Sequence, residues 1–278
     1  MATKCGVGSG KHGSWAKLLL KGIAGLIIVA VAAFLALEQY TPDGVPILEY
    51  HKVNNQDNDP WTLTNDDFEA HLAYLSEQGY NTISTEQFAH YQIGGFQLPP
   101  KPIILTFDDG YVDMLDNMAP LMEAYGMRST IYMVTNYAGL PKYLEWTELT
   151  RLKRRGFELG SHTANHIPVT DLDALPAFDE AKYSRLMLWW FANTRVTAFS
   201  YPEGQYDERI VNYLKANNYL TAVTGEPGYN TKTTSPYHLR RINITRPSRY
   251  LPKTAGLRIR LARAKIYHIL GWDIGEER

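Results

Sequence analysis

The sequence has almost no cysteine and almost no net charge. Its 278 residues include one cysteine, Cys5, so an internal disulfide framework and a metal site built from several cysteines are both excluded. The formal net charge at pH 7 is -1, so no global field attracts nucleic acid and no nucleic-acid partner is expected. With 45% hydrophobic and 21% charged residues, the composition is that of a folded globular protein rather than a disordered chain.

One stretch lacks charge altogether. Residues Gly22–Leu37 carry no charged side chain, and apolar residues from Trp15 onward extend the stretch, interrupted only by Lys17 and Lys21. A helix over 15–37 can cross a bilayer core of about 30 Å with its lysines reaching the interface. The sequence therefore predicts contact with the membrane through one N-terminal transmembrane helix.

The charges around this helix predict its orientation. Lysines precede the apolar run, so residues 1–14 are expected to form a cytoplasmic tail, and the chain after the helix is expected outside the cytoplasm, as a single-pass cell-membrane protein. A signal peptide cleaved near Val31-Ala32-Ala33 is the alternative. Because that site lies inside the apolar run, the uncleaved signal anchor is the favoured interpretation.

The remainder predicts a single α/β domain. After a linker at 38–45, segments with strand and helix periodicity alternate over 46–250, which is typical of an α/β fold with a parallel sheet, here barrel-like. No internal repeat, second domain or obligate protein partner is evident. Residues 251–278 contain a basic amphipathic helix, which could rest on an anionic membrane, contact an anionic polymer, or cover the barrel with a solvated basic face. The last of these is favoured.

Two motifs carry the candidate chemistry. A buried strand, Ile103–Phe107, runs directly into Asp108, Asp109 and Gly110, and adjacent carboxylates are costly unless a cation or a proton lies between them. A later strand runs into His162 and His166. Imidazole and carboxylate together suit zinc or a similar first-row divalent ion, and three such ligands leave coordination positions open for catalysis.

These motifs resemble those of the polysaccharide deacetylase family, also called the NodB-homology or carbohydrate esterase 4 family. The resemblance rests on Thr106–Gly110 and on Ser161–His166, in this order and each at a strand end, and it covers about Pro46 to Arg246. Leu48–His51 and Ser200–Gly204 are similar to extracellular deacetylases of poly-β-1,6-N-acetylglucosamine. The resemblance implies a distorted (β/α) barrel and metal-dependent removal of acetyl groups from N-acetylated sugars of a cell-surface or extracellular polysaccharide.

The resemblance also implies residue roles. Asp109, His162 and His166 would bind one divalent metal ion, with zinc expected and cobalt, nickel, iron or manganese compatible, and Asp108 would be the general base. This division agrees with the chemistry, because a divalent ion acidifies water and a nearby carboxylate can take up the proton. The turn formed by Tyr201, Pro202, Glu203 and Gly204 would offer a backbone N–H to the developing oxyanion, and Tyr111 could line the substrate groove.

The chain departs from the family pattern at two places. Many family members carry an arginine where Ser200 stands here, and that arginine orients the base; we expect Arg241, on the last predicted strand, to supply the guanidinium instead. The Asp/Trp motif expected near Tyr219–Tyr229 is not visible, which leaves the general acid open. His238, which lies close to where a family histidine is often found, is the expected catalytic histidine, and His51 is an alternative contributor at the barrel mouth. Peptidoglycan, chitin-like oligomers or an O-acetyl ester are alternative substrates, and a barrel that binds polysaccharide without turning it over is a further alternative.

Overall fold

The structure, a computed structural model, describes residues 12–246 and 251–272. Several predicted segments therefore lie wholly or largely outside the described residues. They are the cytoplasmic tail with Cys5, the last residues of the predicted domain and the end of the chain. The chain divides into two compact units, 1–41 and 42–278. The first contains helix α1 (His12–Gln39), whose segment Lys17–Gln39 is long and apolar enough to cross a membrane by length and composition.

The second unit alternates strands and helices along the chain. Its strands are β1 (Val45–Tyr50), β2 (Lys52–Val53), β3 (Thr62–Leu63), β4 (Asn81–Thr82), β5 (Pro102–Phe107), β6 (Thr130–Met133), β7 (Glu158–Ser161), β8 (Ala198–Ser200), β9 (Thr221–Val223), β10 (Tyr229–Asn230) and β11 (Ile242–Asn243). Its helices are α2 (Asn65–Glu77), α3 (Thr85–Gln92), α4 (Ala119–Ala124), α5 (Trp146–Arg154), α6 (Ala174–Ala192), α7 (Glu208–Ala216) and α8 (Ala255–Ile269). A π-helical turn, Met114–Met118, leads into α4.

One curled sheet of nine strands organises this unit. The order along the sheet is β10-β1-β5-β6-β7-β8-β9, with β11 pairing with β1 and β4 with β5. All of these pairs are parallel except β1 with β10. Parallel strands direct their carboxyl ends to one edge of the sheet, so the loops that follow β1, β5, β7 and β8 meet there. The predicted barrel-type α/β fold is confirmed.

Both faces of the sheet are buried. Along β1, Leu48 and Tyr50 belong to the large core beneath the surrounding helices, whereas Val45 and Ile47 belong to a second cluster with Ile104 and others from neighbouring strands. Side chains alternate between the two faces of a strand, so a strand covered on both sides is apolar throughout. This double burial explains why β1 and β5 are continuous apolar runs, and it makes the charged Glu49 within β1 an exception.

Capping residues set the starts of two helices. Thr64 caps α2, its side-chain oxygen accepting a hydrogen bond from the Asp67 N–H at 3.1 Å. Ser84 and Gln87 form a reciprocal capping box at the start of α3. Strand β10 and the small β2–β3 sheet are not predicted from the sequence, because such short strands carry no clear periodic signal.

Candidate active site

The predicted functional residues follow four strands whose carboxyl ends share one edge of the sheet. His51 follows β1, Asp108 and Asp109 follow β5, His162 follows β7, and Tyr201 follows β8. In the strand order, β1, β5, β6, β7 and β8 are consecutive neighbours. The sheet therefore gathers residues that lie far apart in the sequence at a single mouth.

The backbone at this mouth is unusually strained. Four non-glycine residues in these loops have positive φ angles: Asp109 (74°), Thr163 (64°), His166 (59°) and Glu203 (55°). Such conformations cost free energy and cluster at functional sites, where the surrounding fold enforces them. Gly204, at φ 71°, is required for space as well, because a Cβ atom there would lie 2.4 Å from the Gly225 nitrogen.

Asp109, His162 and His166 form a compact donor group. The Asp109 Oδ1 atom lies 3.5 Å from His162 Nε2 and 3.4 Å from His166 Nε2, and one ligand atom from each residue lies within 4.8 Å of the other two. The His162 Nδ1–H donates to the Ser200 carbonyl oxygen at 2.8 Å, which leaves the Nε2 lone pair facing the other two donors. This donor set and its supporting hydrogen bond fit a divalent metal ion.

Asp108 lies beside this donor group and contacts the guanidinium of Arg241. Its Oδ1 accepts a hydrogen bond from Arg241 Nη1 at 2.8 Å, and its Oδ2 accepts one from Ser200 Oγ at 3.0 Å. Burial alone would raise the pKa of Asp108, but the charge of the Arg241 guanidinium and its hydrogen bond outweigh burial and hold that pKa below its ordinary value. Asp108 is therefore an ionised, oriented carboxylate next to the donor group.

Arg241 is fully buried and bridges several groups. Besides Asp108, its Nη2 donates to Ser200 Oγ at 3.2 Å and its Nε donates to the Thr224 carbonyl at 3.0 Å. Its Nε also lies 3.4 Å from Glu49 Oε2. Burial would lower the pKa of Arg241, but Asp108 and Glu49 outweigh it, so the guanidinium remains charged between two carboxylates.

A second cluster of possible donors comprises Glu49, His51 and Asp108. The Arg241 guanidinium contacts both of its carboxylates and already supplies the positive charge that they need. Burial raises the pKa of Glu49, with Arg241 opposing the rise. We therefore interpret this cluster as an ion-pair network around Arg241, not as a second metal site.

A cavity of about 530 Å³ opens over these groups. It is lined by most of the predicted site residues: His51, Asp108, Asp109, Tyr111, His162, His166, Tyr201, Glu203, Gly204 and Arg241. Pro202 does not line the cavity, although the other residues of its turn do. His238 does not line it either, and its ring instead packs against Tyr206 with 4.7 Å between the ring centroids.

The cavity also contains residues that the sequence analysis did not single out. Glu49, Lys52, Trp61 and Asn243 line it. His51 lies between two of them: its Nε2 is 3.9 Å from Glu49 Oε1, and its ring centroid is 4.9 Å from that of Trp61. A charged residue inside an otherwise apolar strand could have drawn attention to Glu49. Trp61 follows a polar loop and carried no comparable signal.

Tyr111 contributes a neutral phenol to the same mouth. Burial and the neighbouring Asp109 carboxylate raise the pKa of Tyr111 above its ordinary value, so its hydroxyl keeps its proton at neutral pH. The ring stacks on Tyr143 with 5.0 Å between centroids, and Lys52 Nζ lies 5.2 Å from the Tyr111 centroid. The phenol is thus held at the rim as a potential hydrogen-bond donor.

Comparison with known proteins gives a consistent result. Residues 96–222 match the family model described as polysaccharide deacetylase. The chain is 27% identical over 204 residues to YxkH of Bacillus subtilis (strain 168), which is named after the same family, and the match covers 73% of this chain and 72% of YxkH. It is 25% identical over 151 residues to the poly-β-1,6-N-acetyl-D-glucosamine N-deacetylase of Escherichia coli (strain K12), covering 48% of this chain but only 22% of that protein.

The fold matches a solved deacetylase over most of the globular unit. The structure of the Streptococcus pyogenes deacetylase PplD in complex with acetate superposes with a TM-score of 0.69 and 25% identity, covering 74% of this chain and 94% of PplD. Sequence motifs, family match and fold therefore agree. Residues 96–222 form a polysaccharide deacetylase domain, and the protein is a deacetylase enzyme.

Proposed function

We propose that this protein is a metal-dependent hydrolase that removes N-acetyl groups from an N-acetylglucosamine-containing polysaccharide outside the cytoplasm. One observation carries the proposal: the Asp109–His162–His166 donor group lies beside the buried Asp108–Arg241 pair in one cavity. The similarity to a poly-β-1,6-N-acetylglucosamine deacetylase supports this polymer as substrate, and the apolar N-terminal helix supports anchoring to the cell membrane.

Asp109, His162 and His166 would hold the metal ion. When bound there, a divalent ion polarises the acetamide carbonyl and acidifies water, and zinc is the ion that these donor types suit best. Asp108, ionised and fixed by Arg241 and Ser200, accepts the proton of the attacking water as the new C–O bond forms. The carboxylate needs no rearrangement for this step, since both of its oxygens are already oriented.

The turn after β8 supplies the group that we assign to the oxyanion. The Tyr201 N–H donates to the Val223 carbonyl and the Gly204 N–H to the Tyr201 carbonyl, whereas Pro202 has no N–H. We therefore assign the oxyanion contact to the Glu203 N–H. Its left-handed backbone at φ 55° is the conformation that the turn imposes on this residue.

The amine leaves when the C–N bond breaks, and it needs a proton. We assign the donor to His51, which lines the cavity between Glu49 and Trp61, in preference to His238, which packs against Tyr206 outside it. The Glu49 carboxylate, 3.9 Å from His51 Nε2, favours the protonated form of the ring that this task needs. Asp108 therefore acts as the general base, which accepts a proton from water, and His51 as the general acid, which donates a proton to the leaving amine.

The function is tested by acetate release from a panel of polymers. We expect the purified protein to release acetate from N-acetylated β-1,6-linked glucosamine polymer, and chelation to reduce the rate by about 100-fold or more, since the ion contributes several kcal/mol to the transition state. Adding back zinc, cobalt, nickel, iron or manganese separately identifies the metal. A rate that chelation leaves unchanged would contradict metal dependence. Release only from chitin oligomers, peptidoglycan or O-acetyl esters would reassign the substrate.

The assignment of the proton donor gives a separate prediction. We expect His51→Gln to lower the rate of acetate release by about 100- to 10,000-fold, because a positioned general acid contributes on that scale. His238→Gln is the matched control and is expected to stay within a few-fold of the unaltered protein. Comparing both rates at saturating polymer decides between the two histidines, and the opposite ranking would move the donor to His238.

A further inference from the structure

The C-terminal helix α8 has two apolar faces. Leu257, Leu261 and Ala264 are buried in the main core and fix the helix to the globular unit. On the opposite side, Ile259 and Ile266 are 53% and 43% exposed, Leu270 is 52% exposed, and Trp272, just beyond the helix, is 67% exposed. Ile259, Ile266 and Leu270 are spaced by seven and four residues, so they form one stripe, which we call the outer face.

This outer face is not the solvated basic face favoured from the sequence. A solvated face is polar, whereas isoleucine, leucine and tryptophan dominate this one. Helix α8 nevertheless carries four lysines and arginines and no aspartate or glutamate, whereas Asp273, Glu276 and Glu277 follow in the last six residues of the sequence. Arg263 lies in the middle of the stripe, exposed, with its guanidinium 5.1 Å from the Tyr267 ring. Apolar and aromatic residues accompanied by cations alone are typical of a helix that lies in a membrane interface.

The start of the globular unit lies near the end of α8. The His268 ring near the end of α8 lies 5.9 Å from the Tyr229 ring, and Tyr229 pairs directly with Pro46 in the sheet. Pro46 is close to the start of the globular unit at Pro42, just after the helix that is long and apolar enough to cross a membrane. The six residues from Gln39 to Val45 span at most about 20 Å, so a membrane crossed by that helix lies within reach of the end of α8.

We propose that the outer face of α8 docks on the headgroup layer of an anionic lipid bilayer. Ile266, Leu270 and Trp272 enter the interface, and the exposed Arg263 on the same face contacts the lipid phosphates. The basic charge of α8, which carries no acidic residue, favours anionic lipid over zwitterionic lipid, because an anionic surface attracts basic residues close to it.

A second exposed apolar surface provides the matched control. On α6, Leu186, Trp189 and Trp190 are 45%, 55% and 74% exposed. This helix also carries Asp179 and Glu180 and therefore lacks the purely basic character of α8. If exposure alone caused membrane association, labels on the two helices would behave alike.

The test uses the full-length protein with Cys5→Ser, reconstituted in vesicles of phosphatidylcholine with or without phosphatidylglycerol. Single cysteines, Ile266→Cys and Leu270→Cys on α8 and Leu186→Cys on α6, receive an environment-sensitive fluorophore. We expect a several-fold rise in emission on α8 when phosphatidylglycerol is present, reduced by Arg263→Glu and by high salt, and no rise on α6. Acetate release by each labelled protein verifies that it is folded.

Three results would overturn the proposal. Labels on α8 that remain water-exposed in both vesicle types would show that the outer face does not meet lipid. An equal rise on α8 and α6 would indicate nonspecific adsorption. Shielding of the α8 labels only when polysaccharide or a second protein is added would assign the outer face to that partner.

Discussion

Replacing Asp108 by asparagine is expected to lower acetate release by about 100- to 10,000-fold, the range that a positioned general base contributes. The side chain keeps its shape and can still contact Arg241 and Ser200, but it no longer accepts a proton at neutral pH. Asp109, His162 and His166 are untouched, so the affinity for the metal ion should change little. Rates at saturating polymer, together with metal binding by calorimetry, measure the two quantities separately.

A second buried aspartate serves as the control for Asp108. Asp113 accepts hydrogen bonds from the Asn54 side chain at 2.6 Å and from the Val53 N–H at 3.2 Å, and it does not line the cavity. Asp113→Asn makes the same chemical change in the same loop region and should leave the rate within a few-fold. If Asp108→Asn retained comparable activity, another group would have to be the base.

Replacing Arg241 by methionine is expected to be the most destabilising single change in the site. Arg241 is buried between Asp108 and Glu49, and removing one partner of a buried ion pair typically costs about 3–5 kcal/mol because a charge remains unpaired. Arg241→Lys should recover only part of this loss, since one ammonium group cannot reproduce contacts to Asp108, Ser200 and Thr224 together. Chemical denaturation measures the free energy of unfolding.

The same variant has a predicted pH dependence. Without the guanidinium, burial dominates and the pKa of Asp108 rises above its unfolded value, so the folded state binds the proton more tightly than the unfolded chain. The variant should therefore lose stability as the pH rises from about 4 toward neutrality. In the unaltered protein the pKa of Asp108 is lowered, and its contribution to stability is instead lost as the pH falls. The acidic limb of the activity profile should also move to higher pH.

Two further variants test whether the loss of stability in Arg241→Met comes from the unpaired charges or from lost packing. Arg240→Met removes a neighbouring arginine whose partner, Glu226, is 3.3 Å away and half exposed, and such surface pairs contribute about 0–1 kcal/mol. In the Arg241→Met background, Glu49→Gln removes one of the two stranded carboxylates and should restore part of the lost stability. No restoration would indicate that packing, and not charge, accounts for the effect of Arg241.

The sequence alone determined the elements and the chemical types at the site. The uncharged run of the first helix, the apolar strands β1 and β5, and the cap at Thr64 are encoded by neighbouring residues, because periodicity and capping act over a few positions. The Asp-Asp-Gly and His-x-x-x-His motifs also identify the candidate metal donors from neighbouring residues. Each motif lies within one loop, so its residues are close together in any fold that forms the preceding strand.

The tertiary structure decided which of the remaining distant residues share the site. The expected contact of Arg241 with Asp108 is present across 133 positions of sequence, but the structure alone shows that His51 and not His238 lines the cavity and that Glu49 joins the network from inside a strand. The outer face of α8 became apparent only once Leu257 and Leu261 were seen to be buried on the other side of the helix. These relations depend on strand order and on how the sheet curls, and contacts between distant segments leave no periodic signal in the chain.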